Sequence, residues 1–339
     1  MTSLPGHDAD QIDFLLLPEF SVMGFASVLE PLRVANRFLG DRFPGAPYRW
    51  RILSVDGGPV LASNGMSINA EAAFDNVKQV DTLFIVAGFN PLTYYHPAIG
   101  VWLRKLDRAG GTLGAIDTGC FLLAEAGLLQ QQKITLHWEA VASFKERYPS
   151  LSTTVTQELF ENEQRRLTCA GGTAGIDMML DWIARQHGAG LATAVSEQFV
   201  MSKIRQQSDH QRMQISARYG VHNLKTTQII GLMEKNLEEP LSTDQLATSI
   251  GVTRRQLERL FSAHLHDTPT HFYLGLRLDQ ARQLLQQSEM GITAICVACG
   301  FESPSYFSRA YRSRFQRSPK QDRAARCKPE HTSGKPDAD

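Results

Sequence analysis

The sequence predicts an α/β domain with a mostly parallel sheet, followed by an all-α domain that contains two helix-turn-helix units. Three observations support this fold class. Strand-like and helix-like segments alternate through roughly the first two hundred residues, which is typical of a parallel sheet with helices on both faces. From Leu224 to Arg326 the apolar periodicity is helical throughout. The chain of 339 residues is also about twice as long as a typical single domain.

The predicted elements of the first domain follow one another in a regular order. The strand candidates are short segments that are apolar or β-branched, at residues 12–17, 50–55, 82–86, 112–116, 134–136, 152–160 and 166–169. The helix candidates have a helical apolar pattern and lie at residues 22–38, 98–109, 119–129, 138–148, 173–186 and 192–204. This order predicts a flavodoxin-like α/β arrangement, with helices on both faces of the sheet.

The predicted boundaries are residues 1–205 for the α/β domain and residues 224–326 for the all-α domain. Residues 206–223 lose the apolar period and are predicted to be a polar linker, and residues 327–339 are predicted to be a disordered tail. The net charge is −3 over residues 1–221 and +5 over residues 222–329. A basic C-terminal domain suggests a polyanionic partner, although a solvated basic face explains the charge equally well.

Composition excludes several classes of protein. Hydrophobic residues make up 42% of the chain and charged residues 21%, which is typical of a globular protein. Apolar runs such as 83–87 are much shorter than the roughly 18 residues that span a bilayer, and the first ten residues lack the features of a signal peptide. Five cysteines are too few and too scattered for a disulfide framework. We therefore expect a cytoplasmic protein without a membrane partner.

The all-α domain contains an internal repeat. Segments 244–261 and 293–311 match, with Gly251 corresponding to Gly300 at a turn between two helices. After one inserted residue, five positions keep the same spacing: Leu257, Arg259, Phe261, Leu265 and Pro269 correspond to Phe307, Arg309, Tyr311, Phe315 and Pro319. A plain helical bundle would explain the apolar positions, but it would not explain the polar residues that share the open face. The repeat therefore predicts two helix-turn-helix units that bind double-stranded DNA.

Helical phase selects the residues that face the DNA. With the apolar positions directed at the core, a rotation of about 100° per residue places polar side chains on the open face of each second helix. Arginine, serine and glutamate at these positions suit phosphate contacts and base-edge recognition. The predicted DNA-binding residues are Arg254, Arg255, Glu258, Arg259, Ser305, Ser308, Arg309 and Arg312.

These residues resemble those of the AraC family of transcriptional regulators. The resemblance rests on segments 277–285 (RLDQARQLL) and 298–315 (ACGFESPSYFSRAYRSRF) and on the Ser318-Pro319 pair. It implies two helix-turn-helix units joined by a long helix near residues 271–287, with each unit entering the major groove. This chain departs from the family at His266 and Gln316, where glycine is usual and would serve a left-handed helix end. The departure puts the local turn geometry in doubt.

The pair Cys296 and Cys299 has the spacing of a C-x-x-C motif. A structural zinc site needs four ligands, and no second pair follows. We expect both cysteines to be small core residues and predict neither a metal site nor a cofactor.

Residues 111–139 are the most informative part of the α/β domain. A short strand leads directly into a turn at Asp117 and Thr118 and then into an apolar helix. Such a turn lies at the carboxyl edge of a parallel sheet, where α/β folds bind ligands, and at the electropositive start of a helix. Together with segments 86–91 and 168–183, this stretch resembles the class I glutamine amidotransferase-like (ThiJ/PfpI) superfamily. The resemblance implies a GlxA-type AraC regulator and covers about residues 11–326.

The resemblance also implies that the turn should carry a nucleophilic cysteine, commonly followed by histidine. Here those positions are Asp117 and Thr118, and a carboxylate cannot act as a thiolate. Cys120 lies one helical turn further on and is expected to pack against the sheet. We predict no catalytic residue and no enzymatic activity, and we keep a hydrolase or amidotransferase that uses Cys120 as an alternative.

The remaining feature is a predicted ligand site at the sheet edge. Its predicted members are Asp117, Thr118, Phe89, Asn90, His137, Trp138 and Glu139. Carboxylates beside aromatic faces suit a cationic amine or a quaternary ammonium group. Two alternatives remain open: Trp138 belongs to the core and Glu139 to the surface, or both line the site. His137 is either a ligand contact or a satisfied residue that holds a loop.

Segment 30–37 (EPLRVANR) resembles the branch of regulators that sense amino-acid-derived compounds such as arginine, betaine or carnitine. The resemblance implies a regulator, expected to be an activator that acts on RNA polymerase, with a small-molecule effector and a homodimer formed through the N-terminal domain. A constitutive DNA-binding protein with a site that binds no ligand is the second interpretation.

Overall fold

The computed structural model describes residues 10–40, 47–163 and 165–325. The chain divides into two compact units between Arg212 and Met213. This division lies inside residues 206–223, the segment predicted to be a linker. The predicted disordered tail, residues 327–339, lies outside the described residues.

The first unit alternates strands and helices along the chain. Its strands are β1 (Asp10–Leu16), β2 (Tyr48–Ser54), β3 (Val60–Leu61), β4 (Ser67–Ile68), β5 (Ala72–Ala73), β6 (Thr82–Val86), β7 (Thr112–Ile116), β8 (Lys133–Ile134), β9 (Thr154–Val155), β10 (Phe160–Glu163) and β11 (Arg166–Cys169). Its α-helices are α1 (Val22–Leu39), α2 (Pro97–Arg108), α3 (Cys120–Glu125), α4 (Val141–Arg147), α5 (Ala174–His187) and α6 (Ala189–Gln198). Short 3-10 helices are formed by Phe74–Asn76, Pro91–Tyr94 and Trp138–Ala140.

Seven strands form the main sheet, in the order β10-β11-β7-β6-β1-β2-β5. All neighbours in this sheet are parallel except β10 and β11, which are antiparallel. In the centre, Phe14 of β1 is opposite both Ile52 of β2 and Phe84 of β6. The predicted α/β class with a mostly parallel sheet is confirmed.

Helices cover both faces of the sheet, so the central strands are apolar on both sides. Phe14 and Leu16 of β1 contribute to one buried cluster together with α1, α5 and α6. Leu15 of the same strand contributes to the opposite cluster together with α2, α3 and α4. This alternation follows from the period of two in a β-strand. Because β6, β7 and β11 are parallel neighbours, their carboxyl ends lie at one edge of the sheet, next to the predicted ligand site.

Three predicted elements of this unit are wrong. Residues 152–160 are not one strand, because β9 and β10 belong to different sheets and the amide of Leu159 between them donates to Gln207 and Asp209 carbonyls. The predicted strand 134–136 is not part of the main sheet, since β8 pairs only with β9. The predicted helix 192–204 instead begins at Ala189 and ends at Gln198, and soon afterwards Val200 adopts a left-handed conformation with φ of 54°.

The second unit is helical in every element that the structure describes. Its helices are α7 (Ile215–Tyr219), α8 (Leu224–Lys235), α9 (Thr243–Ser249), α10 (Arg254–Leu265), α11 (Pro269–Gln287), α12 (Ile292–Ala298), α13 (Pro304–Phe315) and α14 (Pro319–Ala325). Helix α7 lies within the segment predicted to be a linker. Helices α9 and α10 form the first helix-turn-helix unit, α12 and α13 form the second, and α11 joins them, as the sequence predicts. None of the helices among the described residues has the length and apolarity that crossing a bilayer requires.

The two helix ends that lack the usual glycine are nevertheless left-handed. His266 at the end of α10 has φ of 52°, and Gln316 at the end of α13 has φ of 57°. A residue with a Cβ atom reaches this conformation at some cost in free energy, whereas glycine does not. Both turns therefore keep the left-handed geometry that glycine usually serves in the family, and the His266 and Gln316 side chains leave backbone strain at the two helix ends.

This strain predicts that glycine stabilises the second unit. We expect His266→Gly and Gln316→Gly each to raise the free energy of unfolding, by up to about 1 kcal/mol, because glycine adopts the left-handed conformation freely. Ala263→Gly, at an exposed position inside α10, is the control and should lower it by about 1 kcal/mol. Denaturant titration of the three variants measures the differences. A loss of stability in both His266→Gly and Gln316→Gly would contradict the strain.

Candidate functional site

The turn after β7 places Asp117 at the sheet edge. β7 ends at Ile116, α3 begins at Cys120, and Asp117 between them adopts a left-handed conformation with φ of 61°. Its amide nitrogen donates to the Cys169 carbonyl oxygen of β11 at 3.0 Å, which ties the turn to the neighbouring strand. Gly119 makes the tight turn possible, because a Cβ atom at this position would lie 2.5 Å from the Ile85 carbonyl oxygen. The backbone thus displays the Asp117 side chain at the sheet edge.

Three further loops meet at this turn. The buried Thr118 hydroxyl donates to the Gly88 carbonyl oxygen at 2.5 Å, which holds the loop that contains Phe89 and Asn90. The His137 amide donates to the Asp117 carbonyl oxygen at 3.3 Å, which holds the loop 137–139. Gly171 lies so close that a Cβ atom there would be 2.9 Å from the Asp117 Cβ. The loops that the sequence predicts to form one site therefore lie together.

The electrostatic environment of Asp117 disfavours its charged form. The side chain is half-buried, and desolvation together with the negative charge of Glu139 raises the pKa of Asp117 to about 7. Burial lowers the pKa of His137, and Glu139 opposes this effect. The His137 Nδ1 atom lies 4.0 Å from the nearer Glu139 carboxylate oxygen. The site therefore holds two acidic groups whose charges repel each other.

Aromatic rings complete the site. Trp138 is half-buried, and the centroid of its ring lies 5.7 Å from that of His137. The guanidinium carbon of Arg212 lies 4.3 Å from the Trp138 ring centroid, a distance suited to a cation–π contact. The Phe89 side chain is 56% exposed at the rim, and Asn90 adopts a left-handed conformation at the start of the 3-10 helix Pro91–Tyr94. Acidic groups and aromatic rings thus lie on neighbouring loops of the candidate site.

Cys120 lies behind this site and not in it. Its side chain is fully buried, and its thiol donates to the Thr135 carbonyl oxygen at 3.4 Å. Burial raises the pKa of Cys120 well above its usual range, so that the thiol form predominates at neutral pH. Among the described residues, no group of three or more His, Cys, Asp or Glu side chains has a metal-binding arrangement.

Sequence reasoning missed three contributors to the site. Gly171 has a positive φ and brings the backbone close to Asp117, and the Gly-Gly pair at residues 171–172 was its only signal in the sequence. Gln211 and Arg212 come from the segment predicted to be a polar linker, and no pattern in the sequence connects Gln211 to Thr135 or Arg212 to Trp138.

The second unit repeats one local design. Gly251 and Gly300 have φ of 66° and 74° at the turns of the two helix-turn-helix units. Thr253 caps α10 by accepting from the Gln256 amide, and Ser303 caps α13 by accepting from the Tyr306 amide. The matched core residues are fully buried in both units: Leu257, Phe261, Phe307 and Tyr311. The internal repeat in the sequence thus corresponds to a structural repeat.

Arg277 ties the second turn to the long helix α11. Its guanidinium donates to the Cys299 and Gly300 carbonyl oxygens, at 2.8 and 2.6 Å, and lies over the Phe301 ring at 4.1 Å. Cys296 and Cys299 are both fully buried beside this turn, so the C-x-x-C pair belongs to the core. The position of α13 is therefore determined by α11.

The predicted DNA-facing side chains are all exposed on the second helices of the repeat. They are Arg254, Arg255, Glu258 and Arg259 on α10, and Ser305, Ser308, Arg309 and Arg312 on α13. Arg254 donates to Glu258 at 3.1 Å, so these two side chains contact each other. Tyr306 on α13 is 46% exposed and was not among the predicted residues.

Comparisons with known proteins match both units. Residues 14–185 match the model of the DJ-1/PfpI family, and residues 246–325 match that of a helix-turn-helix domain. The HTH-type transcriptional regulator CdhR of Pseudomonas aeruginosa is 62% identical over 311 residues, which cover 92% of this chain and 90% of CdhR. This decides the family. The chain belongs to the HTH-type transcriptional regulators that join a DJ-1/PfpI domain to an AraC-type DNA-binding domain.

Other regulators of this family are similar along almost their whole length. GlxA of Rhizobium meliloti is 34% identical over 318 residues, which cover 94% of this chain and 96% of GlxA. ArgR of Pseudomonas aeruginosa is 38% identical over 336 residues, which cover 96% of this chain and 95% of ArgR. A crystal structure of an AraC family transcriptional regulator from Pseudomonas putida has a TM-score of 0.50 and 29% identity, and covers 56% of this chain and 99% of its own. The resemblance inferred from the sequence is confirmed.

The raised pKa of Asp117 predicts that this residue destabilises the regulator above neutral pH. A carboxyl group whose folded-state pKa lies above its unfolded value disfavours folding increasingly from about pH 4 to about pH 7. Asn also tolerates the left-handed conformation. We therefore expect Asp117→Asn to stabilise the protein at pH 8 by at least about 1 kcal/mol, since one pKa unit corresponds to about 1.4 kcal/mol.

The measurement is the thermal midpoint of both proteins at pH 4.5 and pH 8. The gain should be present at pH 8 and nearly absent at pH 4.5. Asp75→Asn, at an exposed position, is the control and should have little effect at either pH. Destabilisation by Asp117→Asn at pH 8 would show that the ionised carboxylate is well solvated or paired.

Proposed function

We propose that this transcriptional regulator responds to a small metabolite whose positively charged nitrogen group is bound at the sheet edge beside Asp117. The effector would be an amino-acid-derived compound such as arginine, betaine or carnitine. Binding in the first unit would change how the second unit binds its DNA sites. This requires the effector to bind the active arrangement more tightly than the inactive one.

The observation that carries the proposal is the raised pKa of the Asp117 carboxyl group at the sheet edge. A carboxyl group with a pKa of about 7, close to a second acidic group, lacks a counter-charge strong enough to keep it ionised. The half-buried Trp138 lies on the loop whose His137 amide donates to the Asp117 carbonyl oxygen. A cation placed beside it would supply that charge and would gain an aromatic surface at the same time. The site is therefore electrostatically complementary to a small cation.

We further propose that the first unit is not an enzyme. The position implied to carry the nucleophile in the superfamily is Asp117, and the thiol of Cys120, three residues further along the chain, is buried with a raised pKa. A thiol without access to solvent cannot attack a substrate. The alternative of a Cys120-dependent hydrolase would require this part of the sheet to open.

The remaining parts of the proposal concern partners. We propose that the regulator forms a homodimer through its first unit, activates transcription through RNA polymerase and works in the cytoplasm, where its DNA is. Homodimers bind two half-sites, which increases the number of base contacts. A constitutive regulator with no effector is the second candidate, and it predicts no response to any cationic compound.

Effector binding should depend on pH through Asp117. A quaternary ammonium probe such as glycine betaine or carnitine should bind the ionised carboxylate, so its association constant should rise with pH up to about 7 and then level off. Isothermal titration calorimetry between pH 5.5 and 8.5 measures this dependence, with L-arginine as the third probe. Asp117→Asn should weaken binding and remove the rise, whereas Asp75→Asn should change neither. Affinity that falls with increasing pH would instead indicate a protonated carboxyl that donates to the effector.

The helical phase of α13 separates a predicted base contact from a predicted phosphate contact. Arg309 is expected to hold a guanine edge with two hydrogen bonds, worth about 1–3 kcal/mol of discrimination, whereas Arg312 is expected to contact phosphate. Arg309→Ala should therefore weaken binding to the cognate site much more than to random duplex. Arg312→Ala should weaken both alike and lower the slope of log affinity against log salt by about one unit. Equal losses on both duplexes for Arg309→Ala would assign it to phosphate or to packing.

A further inference from the structure

Residues 205–212 form a strap that is bonded along the first unit. At its beginning, the Arg205 guanidinium and amide donate to the fully buried Asp177 carboxylate, with distances between 2.6 and 2.9 Å. In its middle, the Gln207 side-chain amide donates to Glu161 at 2.8 Å. The strap therefore starts from a strongly held, charge-paired anchor.

The other end of the strap lies beside the candidate site. The Gln211 side-chain amide donates to the Thr135 hydroxyl and to the Leu136 and Glu158 carbonyl oxygens, at 2.8 to 3.0 Å. Leu136 directly precedes the loop 137–139 that carries His137, Trp138 and Glu139. The Gln211 Oε1 atom is buried without a hydrogen-bond partner in the described part of the chain. The Gln211 backbone amide also donates to the Gln157 carbonyl oxygen at 3.2 Å. Gln211 is therefore held by neutral hydrogen bonds, which are individually weaker than the charge-assisted hydrogen bonds of Arg205.

Arg212 is the last residue of the first unit, and the chain beyond it soon enters the core of the second. Helix α7 begins at Ile215, and both Ile215 and Tyr219 pack against the core of the first helix-turn-helix unit. Arg218 forms two hydrogen bonds of 2.8 Å with the Glu234 carboxylate of α8. Only two residues therefore lie between Arg212 and α7, a helix that packs within the DNA-binding unit.

We propose that Arg212 occupies the aromatic part of the effector site and that a cationic effector displaces it, which loosens the end of the strap next to α7. This inference rests on the proposed function. Arg212 is an exposed residue whose guanidinium already supplies a cation to the Trp138 ring. A second cation at the same ring face would meet both steric overlap and like-charge repulsion. The effector and Arg212 therefore compete for the Trp138 ring. Arg212 remains attached to the strap when it is displaced, whereas the effector exchanges with solvent.

This competition also gives a role to the difference in bonding between the Arg205 end and the Gln211 end of the strap. Arg205 is paired with a buried carboxylate, so the strap stays attached to the first unit when Arg212 leaves Trp138. The freed length is then limited to the part near Gln211, which directly precedes the chain into α7. Arg212 is therefore a positioning residue: it holds the end of the strap when the effector is absent and releases it when the effector binds.

The test uses the full-length protein and the variants Arg212→Gln, Arg212→Lys and Arg37→Gln. Arg212→Gln removes the competing cation at an exposed position, Arg212→Lys retains a cation, and Arg37→Gln removes an exposed arginine that lies over another ring, that of Phe38, at 5.0 Å. Calorimetric titration with glycine betaine, L-carnitine and L-arginine gives the affinities. Hydrogen exchange of residues 206–214, with and without each probe, reports the strap.

We expect Arg212→Gln to bind the effective probe about two- to fivefold more tightly, the range that an exposed cation–π contact provides, and Arg212→Lys and Arg37→Gln to bind it like the unsubstituted protein. The probe should speed exchange of residues 206–214 in the unsubstituted protein. Arg212→Gln should show the faster exchange without any probe.

Other results would overturn the inference in distinguishable ways. Weaker binding by Arg212→Gln, with slower exchange on adding the probe, would make Arg212 a direct effector contact. Equal affinities of Arg212→Gln and the unsubstituted protein would reject displacement while leaving the effector proposal intact. Absence of binding by every protein to every probe would reject the effector proposal, and displacement with it.

Discussion

The structure of the first unit depends on one backbone constraint, the left-handed turn at Asp117 between β7 and α3. Several glycines are required around it: a Cβ atom at Gly88 would lie 2.1 Å from the Glu19 carbonyl oxygen, and one at Gly119 would lie 2.5 Å from that of Ile85. Such close approaches allow the loops to converge on a single side chain. Strain of this kind is retained where the surrounding structure determines it and where function uses it. In this chain the displayed group is a carboxyl and not a thiol.

The chemistry of that carboxyl follows from its surroundings. Burial and the neighbouring Glu139 raise the pKa of Asp117 to about 7, so the charged form of this carboxyl group is disfavoured. The guanidinium group of Arg212, at the end of the strap, brings a positive charge to the Trp138 ring. The same strap begins at the Asp177 carboxylate and leads into the helix that packs on the first helix-turn-helix unit. The proposed ligand site and the DNA-binding unit are thus joined by a single short stretch of chain.

The sequence was sufficient for the architecture and for the loops that form the site. Long buried strands and the two helix-turn-helix units have strong periodic signals, so β6, β7 and β11 agree with their predicted bounds. Strands of two residues have no such signal, which is why β8 and β9 were misassigned. The roles of Gln211 and Arg212 could not be predicted, because their partners are brought near by the fold and are more than fifty residues away in sequence. The left-handed helix ends at His266 and Gln316 show that the fold imposes this backbone conformation on residues that have a Cβ atom and disfavour it.

The affinity of the full-length regulator for its operator, with and without effector, tests most directly whether the site at Asp117 controls DNA binding. The operator can be selected by the protein from a random duplex library. We expect glycine betaine, carnitine or arginine to change this affinity several-fold for the unsubstituted protein and to leave it unchanged for Asp117→Asn, since the coupling acts through the site at Asp117. An operator affinity that no effector alters, or that changes equally in both proteins, would contradict this expectation.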